Sequence, residues 1–444
     1  MDFTPHTDAD VARMLEAVGL DDVGGLFGHL PADVLVSGTL DLPGPMSEPE
    51  VMAHIEGLAA RNRTGLVCFA GGGIYDHYLP PVVRALTLRP EFVTSYTPYQ
   101  SEVSQGVLQA LYEYQSMVAA LTGLPVANAS LYDGATAGLE AVNLAVGSTR
   151  RSSIWVSRGV HPHTREVLDT FAHARGLTVV EHPMVAGRTA WAEDAGEPPA
   201  VLVFGQPNYL GVIEDAAAAA ETAHRLGALA AVEFDPMLQG VLRSPGEAGC
   251  DIAFAEGQPL GNPMSFGGPV LGVFATTEAL LRRIPGRLSG RTVDRNGRVA
   301  YTLTLRTREQ DIRREKASSN ICTNQTLNAI GAAVHLAWLG PHGLRETAHQ
   351  SIQKAHYLAK RLAGLRGVEL AVDSPFGREF PILLPTDPVR VVDAMAERGY
   401  LAGIPLPGDY PEFPGGLLVA VTERRSRAEL DGYADALGEV IADA

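Results

Sequence analysis

Short apolar runs alternate with longer segments of helical periodicity through the middle of the chain, up to about residue 280. Runs that are apolar at nearly every position are typical of strands covered on both faces, and their alternation with helices indicates a parallel sheet. We therefore predict a doubly wound α/β domain with ligands at the carboxyl ends of its strands. The predicted strands are 125–130, 153–157, 177–181, 200–205, 228–234, 251–255 and 272–275, and the predicted helices between them are 135–146, 161–175 and 213–226.

The two ends of the chain have a different pattern. Thr7, followed by acidic residues and then by apolar residues at helical spacing, predicts a capped amphipathic helix, and residues 1–65 are expected to form a helical arm. The large domain is predicted over 66–320, although the arginine- and glycine-rich stretch 282–298 indicates an exposed excursion. Predicted helices at 324–338 and 351–365 connect it to a smaller α+β domain, so that 321–444 forms the connection and the small domain.

Composition excludes several classes of function. Charged residues make up 19% of the chain and apolar residues 46%, which is typical of a folded globular protein. The net charge of −16 repels phosphate backbones and anionic lipids, so neither nucleic acid nor a membrane is an expected partner. The three cysteines are far apart and form no CxxC pair, which argues against a disulfide framework and against a metal site. The N-terminal residues lack a signal-peptide pattern, and we expect a cytoplasmic protein.

A polar turn with a glycine follows the first predicted strand, where Asp133, Gly134, Ala135 and Thr136 open a helix. The N-terminus of a helix presents free backbone N–H groups, which can bind the phosphate of a cofactor. On its own, the segment more often indicates an ordinary capped strand-to-helix turn, because many α/β turns look alike.

Two further side chains follow strands of the same predicted sheet. His161 comes after the second strand, where an imidazole can stack on a cofactor ring, although a lone surface histidine is the commoner case. Asp235 ends an apolar strand, where a carboxylate needs a cationic partner. The protonated ring nitrogen of pyridoxal phosphate is one such partner, and an arginine or a helix cap is the alternative.

The turn, the histidine and the aspartate occur in the chain order of fold-type I pyridoxal-phosphate enzymes, and the chain resembles their large domain. Those enzymes attach the coenzyme to a lysine that follows the next strand. Residues 251–269 contain no lysine, and Gln258 stands at the equivalent position. The three lysines of the chain, Lys316, Lys354 and Lys360, all lie later, so no covalently bound cofactor is expected on this chain.

Three longer stretches are more specific: GGGIYDHYLPP at 71–81, YTPYQSEVSQG at 96–106 and REQDIRREKASSNICTN at 308–324. With the opening FTPHT at 3–7 and the YDGAT turn at 132–136, they resemble the P-proteins of the glycine cleavage system over essentially the whole chain. A chain of this length without the lysine resembles the alpha subunit of the two-subunit form of that family.

The resemblance implies a function that this chain shares with a lysine-bearing beta subunit. The family's enzyme is an oxidoreductase that uses pyridoxal phosphate to decarboxylate glycine, releases carbon dioxide and passes the aminomethyl group to the lipoyl group of the H-protein. The expected partners are therefore the beta subunit and the lipoylated H-protein, with a functional link to the T- and L-proteins. The isolated chain is expected to be inactive.

Active sites of fold-type I enzymes lie at subunit interfaces, so residues of this chain are expected to complete the partner's site. The expected contributors carry hydroxyl, amide or charged groups, and they are Tyr96, Tyr99, Gln100, Glu102, Ser104 and Arg313. Interface packing alone explains the tyrosine segment equally well, and a solvated basic helix face is an alternative for Arg313. The features at 133–136, His161 and Asp235 are then relics that could bind nothing.

Two other functions compete with this hypothesis. The chain could be a scaffold or regulatory subunit that only stabilises the beta subunit and docks the H-protein. An independent pyridoxal-phosphate aldolase or desulfurase is the third possibility, but it requires the missing lysine.

Overall fold

The computed structural model describes residues 5–36, 38, 40–93, 96–192 and 196–443. Phe3 and Thr4 of the FTPHT opening lie outside these residues. The chain divides into two compact units, residues 1–64 and 65–444. The further boundary at residue 320 stays a prediction.

The first unit is the predicted helical arm, with helices α1 (Asp8–Val18) and α2 (Glu48–Ala59). Thr7 caps α1 because its hydroxyl accepts from the Asp10 N–H at 3.3 Å, while the Asp10 carboxylate accepts from the Thr7 N–H at 2.8 Å. None of the arm residues that the structure describes is buried. The apolar side chains of this unit are therefore exposed or only partly buried.

The second unit contains the other regular elements. Its helices in the described ranges are α3 (Pro81–Thr87), α4 (Pro90–Val93), α5 (Gln105–Thr122), α6 (Gly134–Thr149), α7 (Pro162–Arg175), α8 (Ala216–Arg225), α9 (Gln310–Arg313), α10 (Thr326–Leu362), α11 (Pro388–Glu397) and α12 (Arg427–Ala442). Its strands in the same ranges are β1 (Val67–Cys68), β2 (Val126–Ala127), β3 (Ser153–Ser157), β4 (Thr178–His182), β5 (Met184–Val185), β6 (Arg188–Thr189), β7 (Val201–Gln206), β8 (Leu229–Phe234), β9 (Ile252–Glu256), β10 (Gly272–Thr276), β11 (Ser289–Val293), β12 (Val299–Leu303), β13 (Glu369–Leu370), β14 (Glu379–Leu383), β15 (Tyr400–Leu401), β16 (Ile404–Pro405) and β17 (Gly416–Ala420).

The main sheet confirms the prediction of a largely parallel α/β fold. Its strand order is β2-β10-β9-β8-β7-β3-β4, and the run from β9 to β4 is parallel throughout. Strand β10 is antiparallel to both of its neighbours. All seven predicted strands are present, and β3 has the predicted ends, whereas β2 is shorter than its apolar run.

Helices cover both faces of this sheet, which explains the continuous apolar runs. Alternate residues of each strand point to opposite sides, so that Leu202 packs in one core with helices α5, α8 and α10. Its neighbours Val201 and Val203 pack in a second core with α6 and α7. The carboxyl ends of β7, β8 and β9 therefore meet at one edge.

The small predicted α+β region forms a four-stranded antiparallel sheet, in the order β13-β14-β17-β16, packed against α11 and α12. Strand β14 begins at Glu379, directly after Arg378, and this end of the small sheet faces the carboxyl edge of the main sheet.

Two sequence predictions were wrong in part. Residues 282–298 are not simply an exposed excursion, because residues 284–289 are buried and β11 pairs with β12 in a hairpin. The helix predicted at 324–338 is present, but the one predicted at 351–365 begins earlier, because the two meet within α10 at a kink where Gly340 has a φ of 60° and Pro341 follows. None of the helices in the part of the chain that the structure describes is long and apolar enough to cross a membrane.

Candidate active site

A small cavity, here called the central pocket, lies at the carboxyl edge of the main sheet. It has a volume of about 80 Å³ and is lined by residues that include Tyr75, His161, Asp235, Glu256, Arg378 and Glu379. This volume holds a few water molecules. It is well below the roughly 300–1,000 Å³ of small-molecule sites.

The turn at residues 133–136 is a capped helix N-terminus. The Asp133 carboxylate accepts from the backbone N–H of Thr136 at 2.7 Å and from its hydroxyl at 2.9 Å. The Gly134 N–H donates to Oε2 of Glu256 at 3.0 Å. The donors of Gly134 and Thr136 are therefore already paired with carboxylates of the chain.

Glu256 closes this turn from the end of β9. Besides Gly134, the N–H groups of Gln258 and Leu271 donate to its Oε1 at 2.8 and 3.0 Å. Burial raises the pKa of Glu256 to about 7, although these three hydrogen bonds favour the ionised form.

His161 is held in its neutral form beside the pocket. Its Nδ1 accepts from the His163 N–H at 3.1 Å, so Nε2 carries the proton and donates to the Gly72 carbonyl at 2.7 Å. Burial lowers the pKa of His161. Its ring meets that of Tyr209 edge-on at 5.0 Å. The imidazole is thus engaged by protein groups.

Asp235 has both of the protein partners that the sequence left open. Its Oδ2 lies 2.6 Å from Nη2 of Arg378, and its Oδ1 accepts from the N–H groups of Met237 and Leu238 at 2.9 and 3.2 Å. The Arg378 guanidinium is buried and lies 3.6 Å from the centre of the Tyr75 ring. Asp235 is therefore paired with an arginine and also caps the following turn.

Gln258 stands where the lysine of related enzymes is expected. Its Oε1 accepts from the Tyr75 N–H at 2.9 Å, and its Nε2 donates to the carbonyls of Asn262 at 2.8 Å and Tyr75 at 3.3 Å. The side chain is buried. The amide thus ties the end of β9 to the segment around Tyr75.

These residues do not fit pyridoxal phosphate. The coenzyme needs an amine for its aldehyde, free donors for its phosphate and a carboxylate for its ring nitrogen. Gln258, next to this pocket, supplies no amine, and the Glu256 carboxylate already accepts from the Gly134 N–H. Arg378 occupies the Asp235 carboxylate. No group of three or more potential metal ligands occurs among the described residues either.

The tyrosine segment, residues 96–104, lies in a different place and is largely exposed. Tyr96 is 75% exposed and Tyr99 51%. The hydroxyl of Tyr99 accepts from Nη2 of Arg287 at 2.9 Å, and the Arg287 and Arg306 guanidinium groups lie 5.3 and 5.2 Å from its ring centre. Gln100 and Glu102 are exposed, and Ser104 immediately precedes α5.

Arg287, which was not predicted from the sequence, connects this segment to the 308–324 stretch. It is buried, donates to the Cys322 carbonyl, and lies 3.8 Å from the Glu309 carboxylate. Asn324 in turn donates to the Ala129 carbonyl at 2.9 Å. The stretch is therefore fixed against the strand that leads into the 133–136 turn.

Arg313 is exposed and lies on a basic groove with a volume of about 670 Å³. The cations that line this groove are Arg282, Arg283, Arg308, Arg313 and Lys316. The Arg308 guanidinium is already hydrogen-bonded within the chain, because it donates to the backbone carbonyls of Ile284, Gly286 and Leu305. The other four side chains leave a positive surface on a chain whose net charge is −16.

The structure thus brings His161 and Asp235 to one pocket and links the 133–136 turn to that pocket through Glu256. It places the tyrosine segment and Arg313 elsewhere. Glu256, Arg378 and Glu379 were not predicted from the sequence as site residues. A carboxylate at the end of β9 was a visible signal for Glu256, but nothing local marks Arg378, which is 143 residues from Asp235 along the chain.

Comparisons with known proteins agree on one family. The family described as "Glycine cleavage system P-protein" matches residues 1–436. A protein of Moorella thermoacetica, described as "Probable glycine dehydrogenase (decarboxylating) subunit 1", is 47% identical over 100% of both chains. A protein of Prosthecochloris aestuarii with the same description is 48% identical over 99% of this chain and 100% of its own.

Solved structures of the same family and fold also match this chain. A crystal structure of glycine decarboxylase (P-protein) of the glycine cleavage system, in inhibitor-bound form, has a TM-score of 0.90 and 47% identity, and the match covers 99% of this chain and 100% of that one. A sphingosine-1-phosphate lyase of Burkholderia pseudomallei, with a TM-score of 0.65 and 16% identity over 93% of this chain and 94% of its own, shares the fold. The predicted fold-type I class is confirmed, and this chain belongs to the P-protein family of the glycine cleavage system.

Proposed function

We propose that this chain is the alpha subunit of a two-subunit glycine dehydrogenase (decarboxylating). With a lysine-bearing beta subunit, it forms the enzyme that decarboxylates glycine, releases carbon dioxide and transfers the aminomethyl group to the lipoyl group of the H-protein. The observation that carries this proposal is the combination of full-length similarity to proteins described as subunit 1 with the absence of any lysine from residues 251–269.

The beta subunit, on this proposal, holds the pyridoxal phosphate. The lysines of this chain follow no strand of the main sheet, since Lys316 precedes α10, and Lys354 and Lys360 lie within it. The residues of the central pocket do not fit the coenzyme, which also supports the proposal that the beta subunit binds it.

The tyrosine segment is the proposed contribution of this chain to the beta active site. Its aromatic side chains are exposed, yet the guanidinium groups of Arg287 and Arg306 pack on the Tyr99 ring and fix its position. A preorganised aromatic side chain on a surface is typical of an interface contact. We propose that Tyr99 positions substrate or the lipoyl arm, with Tyr96, Gln100, Glu102 and Ser104 beside it.

The arm is proposed to pack against the beta subunit. Its exposed apolar side chains include Val36 at 71%, Leu42 at 70% and Val18 at 62%. So many exposed apolar side chains on one short unit are typical of a protein interface. The capping boxes at Thr7 and Ser47 fix where its two helices begin.

A scaffold or regulatory subunit is the alternative. The observation in its favour is that the hydroxyl of Tyr99 is already hydrogen-bonded within this chain. On that alternative the chain stabilises the beta subunit and docks the H-protein, but it places no side chain in the active site.

The first test is to measure coenzyme absorbance and the exchange of carbon between glycine and bicarbonate, with H-protein present. Both are measured for this chain alone, for the beta subunit alone and for their mixture. We expect exchange only in the mixture. Coenzyme attached to the isolated alpha chain would overturn the proposal.

A further inference from the structure

We infer that two side chains of this protein occupy the places of coenzyme groups, Glu256 that of the phosphate and Arg378 that of the ring nitrogen of pyridoxal phosphate. Gln258, which replaces the lysine, holds the pocket in this closed form. The pocket is then a structural joint between the large and small sheets. The side chains that form this joint exclude the coenzyme, and the absence of the lysine is a second reason why the coenzyme does not bind. This inference rests on the proposed function in one respect, namely that the beta subunit carries the coenzyme.

Glu256 takes the position of the phosphate. A helix N-terminus binds an anion through its free N–H groups, and here the anion is the Glu256 carboxylate, which accepts from Gly134 at 3.0 Å and from two further N–H groups. The approach of the helix is also close. A Cβ atom on Gly134 would lie only 2.8 Å from the Glu256 backbone nitrogen. The Glu256 side chain therefore occupies the Gly134 donor that a phosphate would need, whether or not the carboxyl group is ionised.

Arg378 takes the position of the protonated ring nitrogen. A carboxylate at the end of a buried strand needs a cation, and Nη2 of Arg378 supplies it at 2.6 Å from Asp235. The guanidinium also covers the face of Tyr75 and contacts His77. A planar cation from the small sheet thus fills the place beside Asp235.

Segment 72–78, which belongs to the family-like stretch 71–81, completes the joint. On one side, the backbone of Tyr75 is held by Gln258 of the large sheet. On the other, Glu379 accepts from the Gly72 N–H at 2.8 Å and from the Tyr75 hydroxyl at 2.9 Å. Nearby, Glu423 accepts from the Tyr78 N–H at 2.7 Å and contacts His77 at 2.5 Å. Gln258 therefore makes a set of hydrogen bonds that a lysine could not make, because its amide both accepts and donates.

A consequence is that restoring the lysine will not restore the coenzyme site. The test uses the full-length chain without the beta subunit, so that its failure is separate from a failure of the proposed function. The variants are Gln258→Lys, Gln258→Lys with Glu256→Ala, and Gln258→Lys with Glu256→Gln as the control that removes the charge but keeps the side chain. Each is incubated with pyridoxal phosphate or with pyridoxal, reduced with borohydride and assayed by mass spectrometry for the labelled lysine peptide.

We expect that Gln258→Lys labels poorly with both compounds. Adding Glu256→Ala should improve apparent affinity for pyridoxal phosphate by about tenfold or more, the effect of one or two charge-assisted hydrogen bonds, and leave that for pyridoxal unchanged. Glu256→Gln should recover less than Glu256→Ala, since its amide still fills the space. The inference is overturned if Gln258→Lys alone binds pyridoxal phosphate as tightly as the double variant, or if the gain is equal for pyridoxal.

The unsubstituted chain provides a second measurement, which does not depend on the folding of any variant. Its thermal unfolding midpoint is compared in inorganic phosphate and in chloride at equal ionic strength. We expect no rise beyond the general stabilisation that excluded phosphate gives any folded protein, because the N–H groups of Gly134 and Thr136 are already bonded to carboxylates. A rise that Thr136→Ala abolishes would show that the turn still binds phosphate and would overturn the inference.

Discussion

Arg378 and Asp235 form an ion pair of 2.6 Å that joins the start of the small sheet to the end of strand β8. The arginine side chain is 1% exposed and the aspartate 12%. Breaking such a pair from one side leaves a buried charge without a partner, which costs more than the pair contributes. The two residues should therefore be strongly coupled in stability.

A double-mutant cycle measures this coupling. We expect Arg378→Ala to lower the free energy of unfolding by about 3 kcal/mol, because Asp235 is left unpaired. Asp235→Ala should cost a similar amount, and the double variant should cost about 2 kcal/mol less than the sum of the two. Unfolding in urea, followed by circular dichroism, provides the values. Additive costs would show that the contact is not a stabilising pair.

Glu379 should make stability depend on pH. Burial raises its pKa to about 7, although hydrogen bonds from Gly72 and Tyr75 oppose the shift. Below pH 4.5 the group is protonated in both states, and its contribution is complete. Between pH 4.5 and 7 the unfolded chain ionises more readily than the folded one, so stability falls as the pH rises, and it levels off above pH 7 after a total loss of about 3 kcal/mol for this group.

Glu379→Gln removes this titration. We expect the difference in unfolding free energy between pH 5 and pH 7.5 to be smaller in the variant by about 2 kcal/mol. Glu91→Gln is the control, because Glu91 lies on the surface beside Arg89. An unchanged pH dependence in Glu379→Gln would mean that the group is ionised in the folded protein throughout this range.

The arm should contribute to assembly and not to folding. Met52 and Ile55 lie one turn apart on α2, and each is 53% exposed. The double substitution Met52→Glu and Ile55→Glu should change the unfolding free energy by no more than about 0.5 kcal/mol. It should weaken binding to the beta subunit by about tenfold or more, since apolar anchors dominate interfaces.

Analytical ultracentrifugation or titration calorimetry with the beta subunit provides the affinity. His54→Glu, on the same helix and also exposed, is the control for a negative charge added outside the apolar pair. If the control weakens binding as much as the double substitution, the effect is electrostatic and the proposed apolar contact is wrong.

The sequence was sufficient for the main sheet because its strands are covered on both faces. Strand β3 reads SIWVS, and all five residues are buried, so the pattern marks its ends without ambiguity. The hairpin of β11 and β12 was missed because its outer residues, such as Arg291 and Val293, are exposed and do not alternate cleanly. The local pattern of apolar residues therefore predicts strands that are buried along their whole length, and it fails for strands that are partly exposed.

The candidate site was predictable only in its local parts. The Asp133 cap and the strand-end position of Asp235 follow from neighbouring residues. The partners of these groups do not, because Glu256 is 122 residues from Gly134 and is brought there by strand order. The sequence left an arginine as one alternative for Asp235, but only the fold selects Arg378.

Tyr99 provides the sharpest test of whether this chain contributes to catalysis. Tyr99→Phe removes the hydroxyl that accepts from Arg287 and leaves the aromatic ring in place. If the hydroxyl orients substrate or the lipoyl arm, the rate of glycine–bicarbonate exchange in the complex should fall by about tenfold, equivalent to one hydrogen bond of roughly 1.4 kcal/mol. The affinity for the beta subunit should stay the same. Tyr357→Phe is the matched control, because it removes a hydroxyl that contacts Asp431 in the small domain. An exchange rate unchanged in Tyr99→Phe, or one that falls only as far as assembly does, would favour the scaffold function over a shared active site.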